Sequence, residues 1–283
     1  MQPGGGASDD AWSYTVPGAP APDRDRLPIV ALGALVLLFV VGFSVVRTVK
    51  TRVERLTLAS DLQSGGIEGE PGATYSFAWV NDDGSPVRWD ACTPVHIAVN
   101  PAGAPPGAME DLSEALARIR EASGVELVVD GFVDELPAVE RQPVQRDRYG
   151  DGWAPVLVAW ARLDGSPLAA GLGVEDGVLG VASPLAVTLP GDSGILVTGQ
   201  IVLESAVVVS PGFRTTKSQG AVMLHELSHV LGLGHTPDNA QLLYDGGEPI
   251  AGRGELGPGD RAGLAAVGRS AGCLDAPRPE DLD

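Results

Sequence analysis

Residues 225–235 read His225-Glu226-Leu227-Ser228-His229-Val230-Leu231-Gly232-Leu233-Gly234-His235. His225 and His229 are four apart, so on a helix they stack on one face and can share a metal ion. Zn²⁺ accepts imidazole nitrogen and favours four-coordination, which three His and one water would complete. Glu226 lies about 100° further round the helix, where it can reach that water without displacing it. Gly232 falls where the helix must stop, since Gly tolerates the positive φ that turns the chain back. His235 can then approach the metal from a separate segment. The chain has four His, and three fall on this pattern. Chance alone would produce it on the order of once in 10⁵ such chains, which disfavours the plainer alternative of a core helix with satisfied histidines. The fourth, His96, sits in a strand and reads as an ordinary surface or packing residue.

The pattern resembles HExxHxxGxxH, the metzincin motif of zinc-dependent endopeptidases. Its continuation is similar to the matrixin branch, which usually carries Met-Tyr eight and nine residues after the third His. Here those positions are Leu243 and Tyr244, within Ala240-Gln241-Leu242-Leu243-Tyr244. Thr236 stands where matrixins usually have Ser, Asp238 where they often have an acidic residue, and the lead-in Gln219 to Leu224 is also similar. The resemblance covers roughly residues 218 to 244. It implies an α+β, metzincin-like catalytic domain with a twisted mixed sheet, an edge strand, a backing helix, an active-site helix and a C-terminal helix. It further implies Zn²⁺ on His225, His229 and His235, with Glu226 as general base in peptide-bond hydrolysis. An extended substrate would pair with an edge strand resembling Leu179-Gly180-Val181-Ala182, which could equally be an ordinary buried strand. Tyr244 would line the pocket beside the metal or pack under it.

The chain departs from the family in two places. Leu243 replaces the Met that forms a packing floor under the metal; the two side chains have similar volume. A cysteine-switch propeptide is missing, because Cys92 lies in Trp89-Asp90-Ala91-Cys92-Thr93-Pro94, a different context. With only two Cys in the chain, an all-cysteine zinc site is excluded. Cys92 and Cys273 are expected to form one disulfide between the first core strand and the segment after the last helix; an extra thiolate ligand at Cys92 is the other option.

The 283 residues carry a net charge of −18, which argues against a nucleic-acid partner. Residues 1–26, with Gly4-Gly5-Gly6 and Pro17-Gly18-Ala19-Pro20-Ala21-Pro22, read as a disordered tail. Residues 27–46 contain no Asp, Glu, Lys or Arg. As a helix they would span roughly 30 Å, the thickness of a bilayer core, and so predict a single transmembrane helix in the cell membrane. Arg47, Lys50, Arg52 and Arg55 outnumber Arg24 and Arg26, which by charge alone would keep the C-terminal part inside. Long domains translocate largely regardless of such charge, and a cysteine pair suits an oxidising compartment, so the expectation is an extracellular domain. Residues 47–72 form a juxtamembrane linker, and 73–283 the peptidase domain.

Within that domain Tyr75, Phe77 and Trp79 alternate as in a strand, followed by turn residues Asn81-Asp82-Asp83-Gly84. Further strands are expected at 94–100, 125–129, 156–161, 179–182 and 196–203. Helices are expected at 106–122, 218–231 and 260–267. Three functions compete: a membrane-anchored metalloendopeptidase acting on protein or peptide substrates, a non-catalytic metzincin-like domain that binds peptide or holds structural zinc, and a tethered adhesion module. Glu226 favours the first, because a structural site needs no base.

Overall fold

The computed structural model describes residues 75–174, 177–188, 194–245 and 254–282. The expected tail, membrane helix and linker lie outside them. Among the described residues no helix is long and apolar enough to cross a membrane.

The domain is α+β. Its strands are β1 (Ser76–Phe77), β2 (Val95–Asn100), β3 (Leu127–Phe132), β4 (Val156–Ala161), β5 (Gly180–Val187), β6 (Ile195–Glu204) and β7 (Leu233–Gly234). Its helices are α1 (Ala108–Ser123), α2 (Arg146–Tyr149), α3 (Pro167–Gly171), α4 (Gln219–Val230) and α5 (Pro258–Val267). A mixed five-stranded sheet runs in the order β3-β2-β4-β6-β5. The first four strands are parallel; β5 is antiparallel to β6 and forms an edge. Strands β4 and β6 are almost wholly buried, which is why they read as near-continuous apolar runs.

One main core lies between the sheet and the helices. It joins Ile97, Val99, Val158 and Ile201 from the strands to Leu112, Leu116 and Ile119 of α1. Met223, Leu224 and Leu227 of α4 and Leu264 and Val267 of α5 enter the same core. Each such side chain contributes about 1.5–3 kcal/mol by leaving water. The N-terminus of α4 is tied to α1 through Asp111, whose Oδ2 accepts from Gln219 Nε2 at 2.9 Å and Gly212 N at 2.8 Å. At its other end the Trp89 indole donates to Val230 O at 2.8 Å. Two constraints make residue 232 a glycine. Its φ is +106°, and a Cβ there would sit 2.9 Å from Val87 O.

The elements differ in detail from the sequence expectation. The strand begun by Tyr75 ends at Phe77, with only an isolated bridge from Val80 to Pro86 beyond it. The edge strand runs on to Val187, past the expected end at Ala182. Strand β3 begins two residues and ends three residues later than expected, and Gly131 (φ +136°) accompanies a bulge against Ile97/Ala98. The short helices α2 and α3 were not expected.

Candidate metal centre

Helix α4 brings His225 and His229 to one face, and the turn at Gly232 returns His235 to them. The Nε2 atoms lie 3.0 Å apart for His225–His229, and 3.3 Å for both His225–His235 and His229–His235. The Nδ1–H of His225 donates to Leu242 O at 3.1 Å, and that of His229 to Leu233 O at 2.8 Å. A neutral imidazole donating through Nδ1 carries its lone pair on Nε2. The lone pairs of His225 and His229 therefore face one another across 3.0 Å. Burial, ahead of the nearby His235, pushes His225 down to about 4. His229 is held well below its ordinary value by burial and by both neighbouring imidazoles. Burial also lowers His235, with Asp245 opposing.

Such a cluster could hold a metal ion. A tetrahedral ion with bonds of about 2.0–2.1 Å keeps its nitrogens about 3.3–3.4 Å apart, close to the three spacings found. Neutral imidazoles are also the protonation state a metal requires. The carbonyl contacts on Nδ1 fix tautomer and ring orientation, as outer partners of metal-binding histidines do.

Glu226 is buried on the adjacent face of α4. Burial pushes its carboxyl up to about 8, and the Ala182 N–H of β5 pulls the other way. Gly180 lies directly over it: a Cβ there would sit 2.9 Å from both Glu226 Cγ and Val222 Cγ1. Val181 points to the opposite face, against Leu163, Ala169 and Val202. Gly180 and Ala182 thus line a cleft of about 780 Å³ that also holds the three His and Glu226. Leu179 precedes the strand and lines the same cleft, as does Tyr244; Val181 borders it while its side chain packs on the other face, and Phe77 and Trp79 close another side. All the site residues expected from the sequence line this cleft except Leu243, which is fully buried in the main core, and the two cysteines. His96 stands apart and pairs with Asp130 at 2.7 Å.

The loop after His235 is closed by Thr236 N to Leu243 O at 2.9 Å and Asp245 N to Thr236 O at 3.1 Å. Two residues that the sequence did not single out fasten it to the start of α5. Gln241 Oε1 accepts from Gly259 N at 2.7 Å, while its Nε2 donates to Asp238 Oδ2 at 2.8 Å. Asp260 Oδ2 accepts from Leu242 N at 2.7 Å and Gly257 N at 2.8 Å. A signal for Asp260 was available: it shares a helical face with Leu264 and Val267, and a carboxylate there needs buried donors. Cys92 and Cys273 are joined in a disulfide, their Cα atoms 5.2 Å apart, so neither offers a thiolate. No family model and no curated protein matches the chain.

Proposed function

We propose that the chain is a membrane-anchored, zinc-dependent endopeptidase of the metzincin type, close to the matrixin branch. The observation that carries this proposal is the placement of Glu226. A buried carboxyl, with no ion-pair partner among the described residues, sits beside three converging imidazoles, under an edge strand and on the wall of a cleft. A site serving only to brace the fold has no use for it.

His225, His229 and His235 would hold the zinc. When bound, zinc supplies Lewis acidity that makes water nucleophilic near neutral pH and polarises a carbonyl oxygen. Glu226 accepts the proton of the attacking water and returns it to the leaving nitrogen. The Ala182 N–H favours the ionised carboxylate that exists before the first transfer and again after the second. The outer edge of β5, which no further strand covers among the described residues, binds the substrate as an added strand, so recognition draws on backbone more than on side chains. Pro184 limits this ladder, because it offers a carbonyl but no N–H. Residues 27–46 supply the bilayer anchor in this proposal, and the disulfide supports an extracellular domain.

The test is incubation of purified protein and zinc with a diverse peptide mixture, followed by sequencing of the products. The wild type should cleave. Glu226→Gln should bind zinc and fold as the wild type does, yet cleave roughly 10²–10⁴-fold more slowly. His225→Ala/His229→Ala should lose both zinc and cleavage. Cleavage at the wild-type rate in Glu226→Gln would end the proposal, and zinc binding with no cleavage in the wild type would favour a peptide-binding domain.

A further inference from the structure

The third ligand is held differently from the other two. His225 and His229 stand on a buried helix with their Nδ1 groups bonded to carbonyls. His235 is exposed and lies beyond the helix, directly after β7. Its position is therefore set by whatever fixes the backbone of residues 232–236. On the C-terminal side that is the Thr236–Leu243 contact. On the N-terminal side it is a segment about 160 residues earlier in sequence.

Three contacts make that junction. Strand β1 pairs with β7 in the register Ser76–Gly234 and Phe77–Leu233. Ala78 N–H donates to Gly232 O at 2.8 Å. The Ser76 hydroxyl donates to the carbonyl of His235 itself. The approach leaves no slack: a Cβ on Gly234 would lie 2.8 Å from Ser76 Oγ and 2.9 Å from Phe77 O. The same segment presents Phe77 and Trp79 to the cleft.

From these contacts we infer that Ser76–Ala78 is the positioning segment of the metal centre: it seats His235, so the site is complete only while the N-terminal part of the chain is docked on β7. This rests on the metal-binding role proposed above for the three His. Withdrawal of the segment unseats one ligand in three without disturbing α4, which makes the point where the chain enters the domain a control point for the site.

The experiment uses the full chain and four variants: Ser76→Ala, Ala78→Pro, Gly234→Ala, and Glu114→Ala as a control on the exposed face of α1. Zinc affinity is measured by competition with a chelator. Backbone hydrogen exchange of residues 232–236 is measured on the metal-free protein. Ala78→Pro and Gly234→Ala should bind zinc about 10–100-fold more weakly, the usual effect of losing a contact that orients a ligand, and Ser76→Ala should show a smaller loss. All three should exchange faster over 232–236, with α1 and β4 unchanged, while Glu114→Ala matches the wild type in both measurements. If Ala78→Pro does not fold, Ser76→Ala decides, since it removes only a hydroxyl. Wild-type affinity and wild-type exchange in the folded variants would overturn the inference. A wild type that binds no zinc would instead overturn the metal role of the histidines, and exchange alone would then decide whether the segment seats His235.

Discussion

Asp260 and His225 hold the same residue from two sides. Leu242 gives its N–H to Asp260 Oδ2 at 2.7 Å, and its carbonyl receives the Nδ1–H of His225 at 3.1 Å. The C-terminal helix is thereby connected to a candidate ligand through a single residue of the intervening loop. Asp260 is fully buried, so its loss would leave the N–H groups of Leu242 and Gly257 without an acceptor. Asp260→Ala should cost about 3 kcal/mol of stability and weaken zinc binding. Thermal melting with zinc titration checks both; loss of stability at unchanged zinc affinity would separate Asp260 from the site.

Gly180 should be intolerant of any side chain because of what lies beneath it. A methyl at 2.9 Å from Glu226 Cγ and 3.0 Å from its Oε1 would force the carboxyl aside. Misplacing a catalytic group by about 1 Å can cost roughly 10²-fold in rate. Gly180→Ala should therefore reduce peptide cleavage by 10-fold or more, to order of magnitude, while zinc affinity stays unchanged. Full activity in Gly180→Ala would mean that Glu226 does not work from the position seen here.

Leu243 is 1% exposed and belongs to the same core as Met223, Leu224 and Leu227. Leu243→Met is close to volume-conserving and should cost under about 1.5 kcal/mol. Leu243→Ala should leave a cavity and cost about 2–5 kcal/mol. Because the Leu243 carbonyl closes the loop onto Thr236, next to His235, the alanine variant should also bind zinc more weakly. Parallel melts and zinc titrations test this, and an alanine variant indistinguishable from wild type would remove Leu243 from the floor of the site.

Acid should destabilise the domain in part through Glu135. Burial raises its pKa, but Arg141, Tyr149 and Gln145 all donate to its carboxylate and hold it below its ordinary value of 4.5. A folded-state pKa below the unfolded one gives stability that is complete above 4.5 and disappears as pH falls through the folded value. Glu135→Gln should therefore cost about 3–5 kcal/mol at neutral pH, because it leaves buried Arg141 uncompensated. The difference should shrink in acid, as pH falls below 4.5 and through the lower folded-state value. Urea unfolding at neutral and at acid pH measures it; an equal deficit at both would assign the cost to packing.

The motif helix, helix α1 and the central strands were legible because their signals are local. His225 and His229 at helical spacing, and Leu112, Leu116 and Ile119 on one face, need no knowledge of the rest of the chain. Edges and short elements were harder. Tyr75, Phe77 and Trp79 alternate as a strand should, yet the ladder ends at Phe77, with one further bond from Ala78 N–H to Gly232 O, because the paired segment turns at Gly232. Helices α2 and α3 have 4 and 5 residues, too few to display a period. Gln241 and Asp260 gain their roles only when a loop and a helix 18–19 residues apart are folded together. Ser76 lies 159 residues from the carbonyl it binds.

The bridge between Cys92 and Cys273 encloses nearly the entire domain, its ends lying 181 residues apart in sequence. A crosslink over so long a loop removes configurational freedom from the unfolded chain worth about 5 kcal/mol at 25 °C by loop-closure arithmetic. It also changes what a single nick can do. A peptide bond cut anywhere from residue 93 to 272 opens the ring but releases no fragment, since both pieces remain covalently attached. For a molecule proposed to be a protease, backbone damage would thus be followed by loss of material only once the bridge is reduced as well.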